Sequence, residues 1–126
     1  MSQEIKTLVV DDEELIRWSL QSALKGLGFF VDTASDGNEA LDMLRKTDYD
    51  IVITDFKMPG LNGLELLEKI KEEGKKSKVI IISAYLSYSA VKGAKECGAF
   101  HCVNKPFGMD EFLGIVRDAV DSIRVI

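Results

Sequence analysis

Residues 51–83 read IVITDFKMPGLNGLELLEKIKEEGKKSKVIIIS. The stretch opens and closes on short apolar runs, Ile51–Thr54 and Val79–Ile82, each of strand length and bounded by polar residues. Between them, Gly63–Glu73 sets Leu66, Leu67 and Ile70 on one helical face, and Gly74 ends the segment. Strands that read as unbroken Val/Ile/Leu runs are those covered on both faces, as in a parallel sheet packed between helices.

The alternation continues outward in both directions. Upstream, Ile5–Val10 is an apolar run cut off by Asp11-Asp12. Glu13–Leu27 then carries Ile16, Leu20, Ala23, Leu24 and Leu27 at helical spacing, with Gly26 and Gly28 as stops. Phe29–Ala34 reads as a strand, and Asn38–Lys46 as a helix entered through Ser35-Asp36-Gly37. Downstream, Ser87–Cys97 is a weaker helix with Ala90, Val91, Ala94 and Cys97 inward. Phe100–Asn104 is a strand, and Asp110–Ile123 a helix striped by Phe112, Val116, Ala119, Val120 and Ile123. Five strands alternating with five helices predict an α/β domain, a doubly wound parallel sheet with helices on both faces, over residues 1–126.

Composition narrows the function. With 46% apolar and 29% charged residues, the chain has the profile of a globular protein with a core of its own. No apolar run is long enough to cross a bilayer, and the opening Met-Ser-Gln-Glu-Ile-Lys lacks a signal-peptide core, so no membrane partner and a cytoplasmic location are expected. A net charge of −5 argues against direct grip on nucleic acid. Cys97 and Cys102 make neither a disulfide framework nor, without a His/Cys cluster, a zinc site.

In a doubly wound sheet, ligands sit outside the carboxyl ends of the strands. Strand one ends at Asp11-Asp12, strand three at Asp55, strand four at Ser83 and strand five at Lys105-Pro106. Taken singly these are ordinary residues: helix caps, a turn aspartate, a solvated lysine. Their coincidence on one rim points to chemistry. Three carboxylates in one crevice repel each other, and a hard divalent cation resolves the conflict. Mg²⁺ suits one or two carboxylates, a backbone carbonyl and retained waters. A metal, the Lys105 ammonium and the Ser83 hydroxyl beside a carboxylate suit phosphoryl transfer with Asp55 as nucleophile.

The chain resembles the receiver domain of bacterial two-component response regulators. The resemblance rests on Val-Val-Asp-Asp-Glu at 9–13, on Asp55-Phe-Lys-Met-Pro-Gly with Gly63 eight residues after the aspartate, on Ile-Ile-Ser-Ala at 81–84, and on Gly98-Ala99 followed by Lys105-Pro106-Phe107. It implies a flavodoxin-like (βα)5 fold with strand order 2-1-3-4-5. Asp55 would be the phosphoacceptor of a sensor histidine kinase or histidine phosphotransfer domain. Asp12, Asp55 and the Lys57 carbonyl would bind Mg²⁺ directly, with Asp11 holding it through water. Ser83 would be the switch hydroxyl, Lys105 the partner of the phosphoryl group, and the Lys105–Pro106 bond would be cis. Ile-Arg-Trp at 16–18 and the Asp55 run resemble receivers of enhancer-binding transcription activators. An output domain, a homodimer and a stand-alone phosphorelay role remain open.

One position departs from the family pattern. Where an aromatic switch residue usually stands, three residues before the lysine, this chain has Cys102. Ser83 and the loop behind it are then expected to carry more of the signal. Phe100, Tyr85 and Tyr88 are candidates for the missing aromatic surface. Tyr85, Leu86 and Tyr88 either mark a partner surface or are scattered apolar residues, and Trp18 either edges the kinase-contacting helix or is half-buried packing. His101, the single histidine, is expected to be structural, and it cannot pair with Cys102 because adjacent strand residues face opposite ways. An aspartyl phosphohydrolase would carry an aspartate two residues after the nucleophile, where this chain has Lys57. A flavin module would need a phosphate-cradling loop after strand one, where Asp11-Asp12-Glu13-Glu14 has the wrong charge.

Overall fold

The structure, a computed structural model, describes residues 4–84 and 87–124. Tyr85 and Leu86 lie outside the described residues, as do the first three and the last two of the chain. The elements run β1 (Lys6–Val10), α1 (Glu14–Gly26), β2 (Phe30–Ala34), α2 (Gly37–Lys46), β3 (Ile51–Asp55), α3 (Gly63–Glu72), β4 (Lys78–Ser83), α4 (Tyr88–Glu96), β5 (His101–Asn104) and α5 (Met109–Arg124). The strands form one parallel sheet in the order β2-β1-β3-β4-β5. This is the flavodoxin-like doubly wound arrangement, and β3 lies at its centre between β1 and β4.

Period-two alternation along the strands divides the core into two layers. Val9, Ile51, Ile53, Ile80 and Ile82 face one side, where they pack with Leu20 and Leu24 of α1 and Phe112 and Val116 of α5. Leu8, Val10, Val52, Val79 and Ile81 face the other, against Leu44 of α2, Leu66 and Ile70 of α3 and Ala94 of α4. These side chains are at most 1% exposed apart from Leu20, at 2%. Truncating one of the larger ones to alanine costs about 2–5 kcal/mol. Among the described residues no helix is long and apolar enough to cross a membrane.

Caps set several helix starts. Asp36 accepts the Glu39 N–H at 2.8 Å, and Asn62 and Glu65 form a reciprocal capping box. Ser87 caps α4 by accepting the Ala90 N–H. Most expected boundaries shift by a single residue, and two of these shifts have a visible cause. Gly26 is the last residue of α1 rather than its stop, and the chain turns at Gly28, which has φ +84°. Phe29 lies outside β2, because its N–H donates to the Leu24 carbonyl of the helix exit and the ladder begins at Phe30. Along α4 the expected inner face is thinner than its sequence suggests, and of its helical residues only Ala94 is buried.

Candidate functional site

The register of β1 against β3 builds the site. Val10 pairs with Thr54, so the residues that follow, Asp11 and Asp55, emerge side by side at the carboxyl edge. Asp11 is fully buried and Asp55 is 6% exposed, whereas Asp12 is exposed. One carboxylate oxygen from each of Asp11, Asp12 and Asp55 lies within 4.8 Å of the others. Lys105 enters from the end of β5, its Nζ 3.4 Å from Asp11 Oδ2 and 3.5 Å from Asp55 Oδ2. These are ion-pair distances, longer than strong hydrogen bonds. The Lys105 N–H donates to the Ser83 carbonyl at 2.9 Å, which ties the ends of β4 and β5 together, and the Lys105–Pro106 bond is cis.

Charge and burial compete here. Burial pushes the Asp11 carboxyl above its ordinary value. The Glu13 N–H and the Lys105 ammonium oppose that shift, and the Asp55 charge adds to it. Burial likewise raises the Asp55 carboxyl, against the Lys105 ammonium and the N–H groups of Lys57 and Phe56. Burial alone would lower Lys105, but Asp11 and Asp55 outweigh it and its ammonium is held above the ordinary lysine value. One ammonium therefore does not balance the pocket. The donor set is oxygen only, and the exposed Asp12 side chain makes no hydrogen bond or ion pair among the described residues. Such a set fits a hard divalent cation.

The loop after Asp55 is held by close backbone packing. A Cβ on Gly63 would stand 2.4 Å from the Asp55 carbonyl oxygen and 3.0 Å from the Phe56 Cα. The Gly63 N–H donates to the Phe56 carbonyl at 2.9 Å. A Cβ on Gly37 would stand 2.4 Å from the Leu61 carbonyl oxygen, so α2 also begins hard against this loop. An open groove of about 480 Å³ runs from Asp12 along Lys57, Met58 and Gly60.

Of the residues singled out in the sequence, Asp11, Asp12, Asp55 and Lys105 converge. Ser83 is buried at the end of β4, one residue beyond the partner of Asp55 in the sheet register. Lys57 is exposed and lines the groove with Asp12. Cys102 is half-buried and packs on the same side of the sheet as Ala94 of α4, where burial raises its thiol. His101 and Tyr88 are exposed, Tyr88 at 83%. Trp18 is 62% exposed and stands with Leu15 on the open face of α1, which excludes the half-buried reading. Sequence reasoning missed Arg17, whose Nη1 donates to the Asp11 carbonyl at 2.7 Å. It also missed the Glu13 N–H on Asp11 Oδ1 at 2.9 Å. Only Glu13-Glu14 beside a lone Arg on the next turn hinted at these contacts.

Fold and rim together define an α/β protein with a cluster of three carboxylates and a lysine at the carboxyl edge of its sheet. The family model described as the response regulator receiver domain matches residues 7–117, and the chain belongs to that family. It is 40% identical over 112 residues to the DNA-binding transcriptional regulator NtrC of Klebsiella pneumoniae, covering 89% of this chain and 24% of NtrC. The chain thus spans about a quarter of the length of that relative. It is 37% identical to sporulation initiation phosphotransferase F of Bacillus subtilis, covering 91% of this chain and 90% of that protein. Among solved structures, the receiver domain of Francisella response regulator 1452 superposes with a TM-score of 0.90 at 29% identity, covering 96% of this chain and all of that one. Chemotaxis protein CheY4 of Vibrio cholerae gives 0.87 at 28%, covering 93% of this chain and 99% of CheY4.

Proposed function

We propose that residues 1–126 form one receiver domain that accepts a phosphoryl group on Asp55 from the phosphohistidine of a sensor histidine kinase or histidine phosphotransfer domain. The P–N bond of the donor breaks as a P–O bond to the Asp55 carboxylate forms. Slow hydrolysis of the acyl phosphate resets the domain. The observation that carries this reading is the Asp55 carboxylate itself, almost buried, beside Asp11 and Asp12 and in reach of the Lys105 ammonium. Mg²⁺ bound by Asp12, Asp55 and the Lys57 carbonyl, with Asp11 holding it through water, would neutralise the phosphoryl oxygens. Lys105 orients and stabilises the same oxygens, and the Ser83 hydroxyl donates to one of them. The exposed Leu15 and Trp18 on α1 suit docking of the phosphodonor.

The consequence of phosphorylation is a change in the face formed by α4, β5 and α5. Likeness to NtrC supports control of transcription through an output domain. Likeness over most of its length to a sporulation phosphotransferase supports a stand-alone relay as the second use. Intact-mass spectrometry after acetyl phosphate and Mg²⁺ tests the common core. One hydroxylamine-labile phosphoryl group is expected, absent from Asp55→Asn. Equal incorporation into Asp55→Asn would remove Asp55 from its role.

A further inference from the structure

We propose that Arg17 is a positioning residue of the acidic pocket: by holding the Asp11 carbonyl it fixes the peptide that aims the Asp12 carboxylate at the cation. The inference rests on the Mg²⁺ reading above.

Every polar atom of Asp11 has a partner. Its N–H donates to the Ala34 carbonyl at 3.2 Å, Oδ1 accepts the Glu13 N–H, Oδ2 faces Lys105, and its carbonyl accepts Arg17 Nη1 at 2.7 Å. Asp12 stands in contrast. Its side chain is exposed and makes no hydrogen bond or ion pair among the described residues, so only its Cα–Cβ direction is fixed, and the backbone fixes it. The Asp11 carbonyl and the Asp12 N–H share one rigid peptide plane. A donor on that carbonyl restrains rotation of the plane, and with it the Cα–Cβ direction of Asp12.

The place of Arg17 supports this. It lies in the first turns of α1, whose N-cap, Glu13, gives no side-chain cap. A cation there opposes the helix macrodipole. What the half-buried side chain gains is the short charge-assisted bond to Asp11, reached because helix side chains lean towards the N-terminus.

The sign of the effect separates positioning from plain electrostatics. Removing a cation near a dication site would by itself tighten Mg²⁺ binding. Removing a positioning group weakens it, by about 10- to 100-fold for partners one step behind metal ligands. The experiment is a Mg²⁺ titration followed by amide shifts of residues 11–13 and 55–57, on wild type, Arg17→Met and Arg17→Lys. About tenfold weaker binding is expected for Arg17→Met, with Arg17→Lys between it and wild type. The rate of Asp55 phosphorylation by acetyl phosphate should recover at saturating Mg²⁺, since the groups that touch the phosphoryl are intact. Equal or tighter binding in Arg17→Met overturns the proposal, and so does a rate that stays depressed at saturating Mg²⁺. If Arg17→Met loses folded amide dispersion, Arg17→Lys decides, and an unchanged affinity there overturns it equally. A wild type that binds no Mg²⁺ at millimolar concentration refutes the metal reading itself. That result is distinct from a wild type that binds and variants that match it.

Discussion

Gly63→Ala puts the geometry around Asp55 to a quantitative test. In a helix, alanine is favoured over glycine by about 1 kcal/mol, less at a first position such as this. Here the added Cβ would meet the Asp55 carbonyl oxygen at 2.4 Å and the Phe56 Cα at 3.0 Å. Both are backbone atoms at the end of a central strand, so neither can swing aside as a side chain would. Relief requires α3 to back away. That strains the 2.9 Å bond from the Gly63 N–H to the Phe56 carbonyl, while the Asn62–Glu65 capping box holds the helix start in place. Overpacking of this kind costs about 1–3 kcal/mol, and after the propensity gain a net loss of about 1–2 kcal/mol remains. With a urea slope of about 2 kcal/mol/M, the unfolding midpoint should fall by about 0.5–1 M.

Gly114→Ala is the control. It lies within α5, and a Cβ there meets nothing within 4 Å. Its midpoint should rise, by about 0.5–1 kcal/mol in stability. Because the displaced atoms belong to the Asp55 loop, Gly63→Ala should also weaken Mg²⁺ binding, while Gly114→Ala leaves it unchanged. If Gly63→Ala is as stable as wild type, the contact between α3 and the strand end is looser than described, and the reason for a glycine eight residues after the aspartate fails.

Asp12→Ala should weaken Mg²⁺ binding by calorimetry yet raise the metal-free thermal midpoint, because it removes one of three mutually repelling carboxylates. Asp11 and Asp55 are both held above the ordinary carboxylate value of 3.8, so in EDTA the native state keeps its protons longer than the unfolded chain as pH rises. Their contribution is full below 3.8 and is lost as pH climbs through the folded values; Asp55→Asn should flatten that decline in urea midpoints, and an unchanged profile would contradict the shift. Ser83→Ala should greatly reduce the amide shifts that a beryllofluoride mimic induces in residues 87–107, and Cys102→Ser should change them little. The reverse pattern would make Cys102 the switch.

Much of this was legible in the sequence because burial on both faces leaves a plain mark. Ile51–Thr54 and Val79–Ile82 are apolar where a one-sided strand would alternate, and the structure buries alternate residues of each run in opposite layers. The rim followed from the same reading, since the residue after each strand sits at the carboxyl edge whatever the helices do. Other features depended on contacts that a linear reading cannot supply. Arg17 reaches back across six residues to a carbonyl, a contact invisible to any stripe or cap pattern. The constraint at Gly37 comes from Leu61, far along the chain, so it read only as a helix entrance. Which carboxylates are buried was hidden as well: Asp11 and Asp12 are neighbours in sequence but lie on opposite sides of the protein–solvent boundary.

On the proposed reading, the charges of the pocket explain why α4 should respond. Without metal, three carboxylates face one ammonium. A bound dication would bring the set near neutrality. Phosphorylation then exchanges one carboxylate charge for a group carrying about −1.5 to −2, and the surplus must be met by donors already at the rim. Lys105 and the buried Ser83 are those donors, and they are not independent: the Lys105 N–H is bonded to the Ser83 carbonyl, so adjustment of one strand end pulls on the other. The chain leaves Ser83 for α4 within five residues. That helix buries a single helical residue, Ala94, whereas α3 and α5 bury four each. On this reading a rearrangement at the rim would be passed to the helix that buries the fewest of its described residues, which is where local opening costs least. Cys102, half-buried on the same side of the sheet as that helix, is too small to act as an aromatic gate, so on this reading the response of α4 would depend on Ser83 rather than on a side-chain swing on β5.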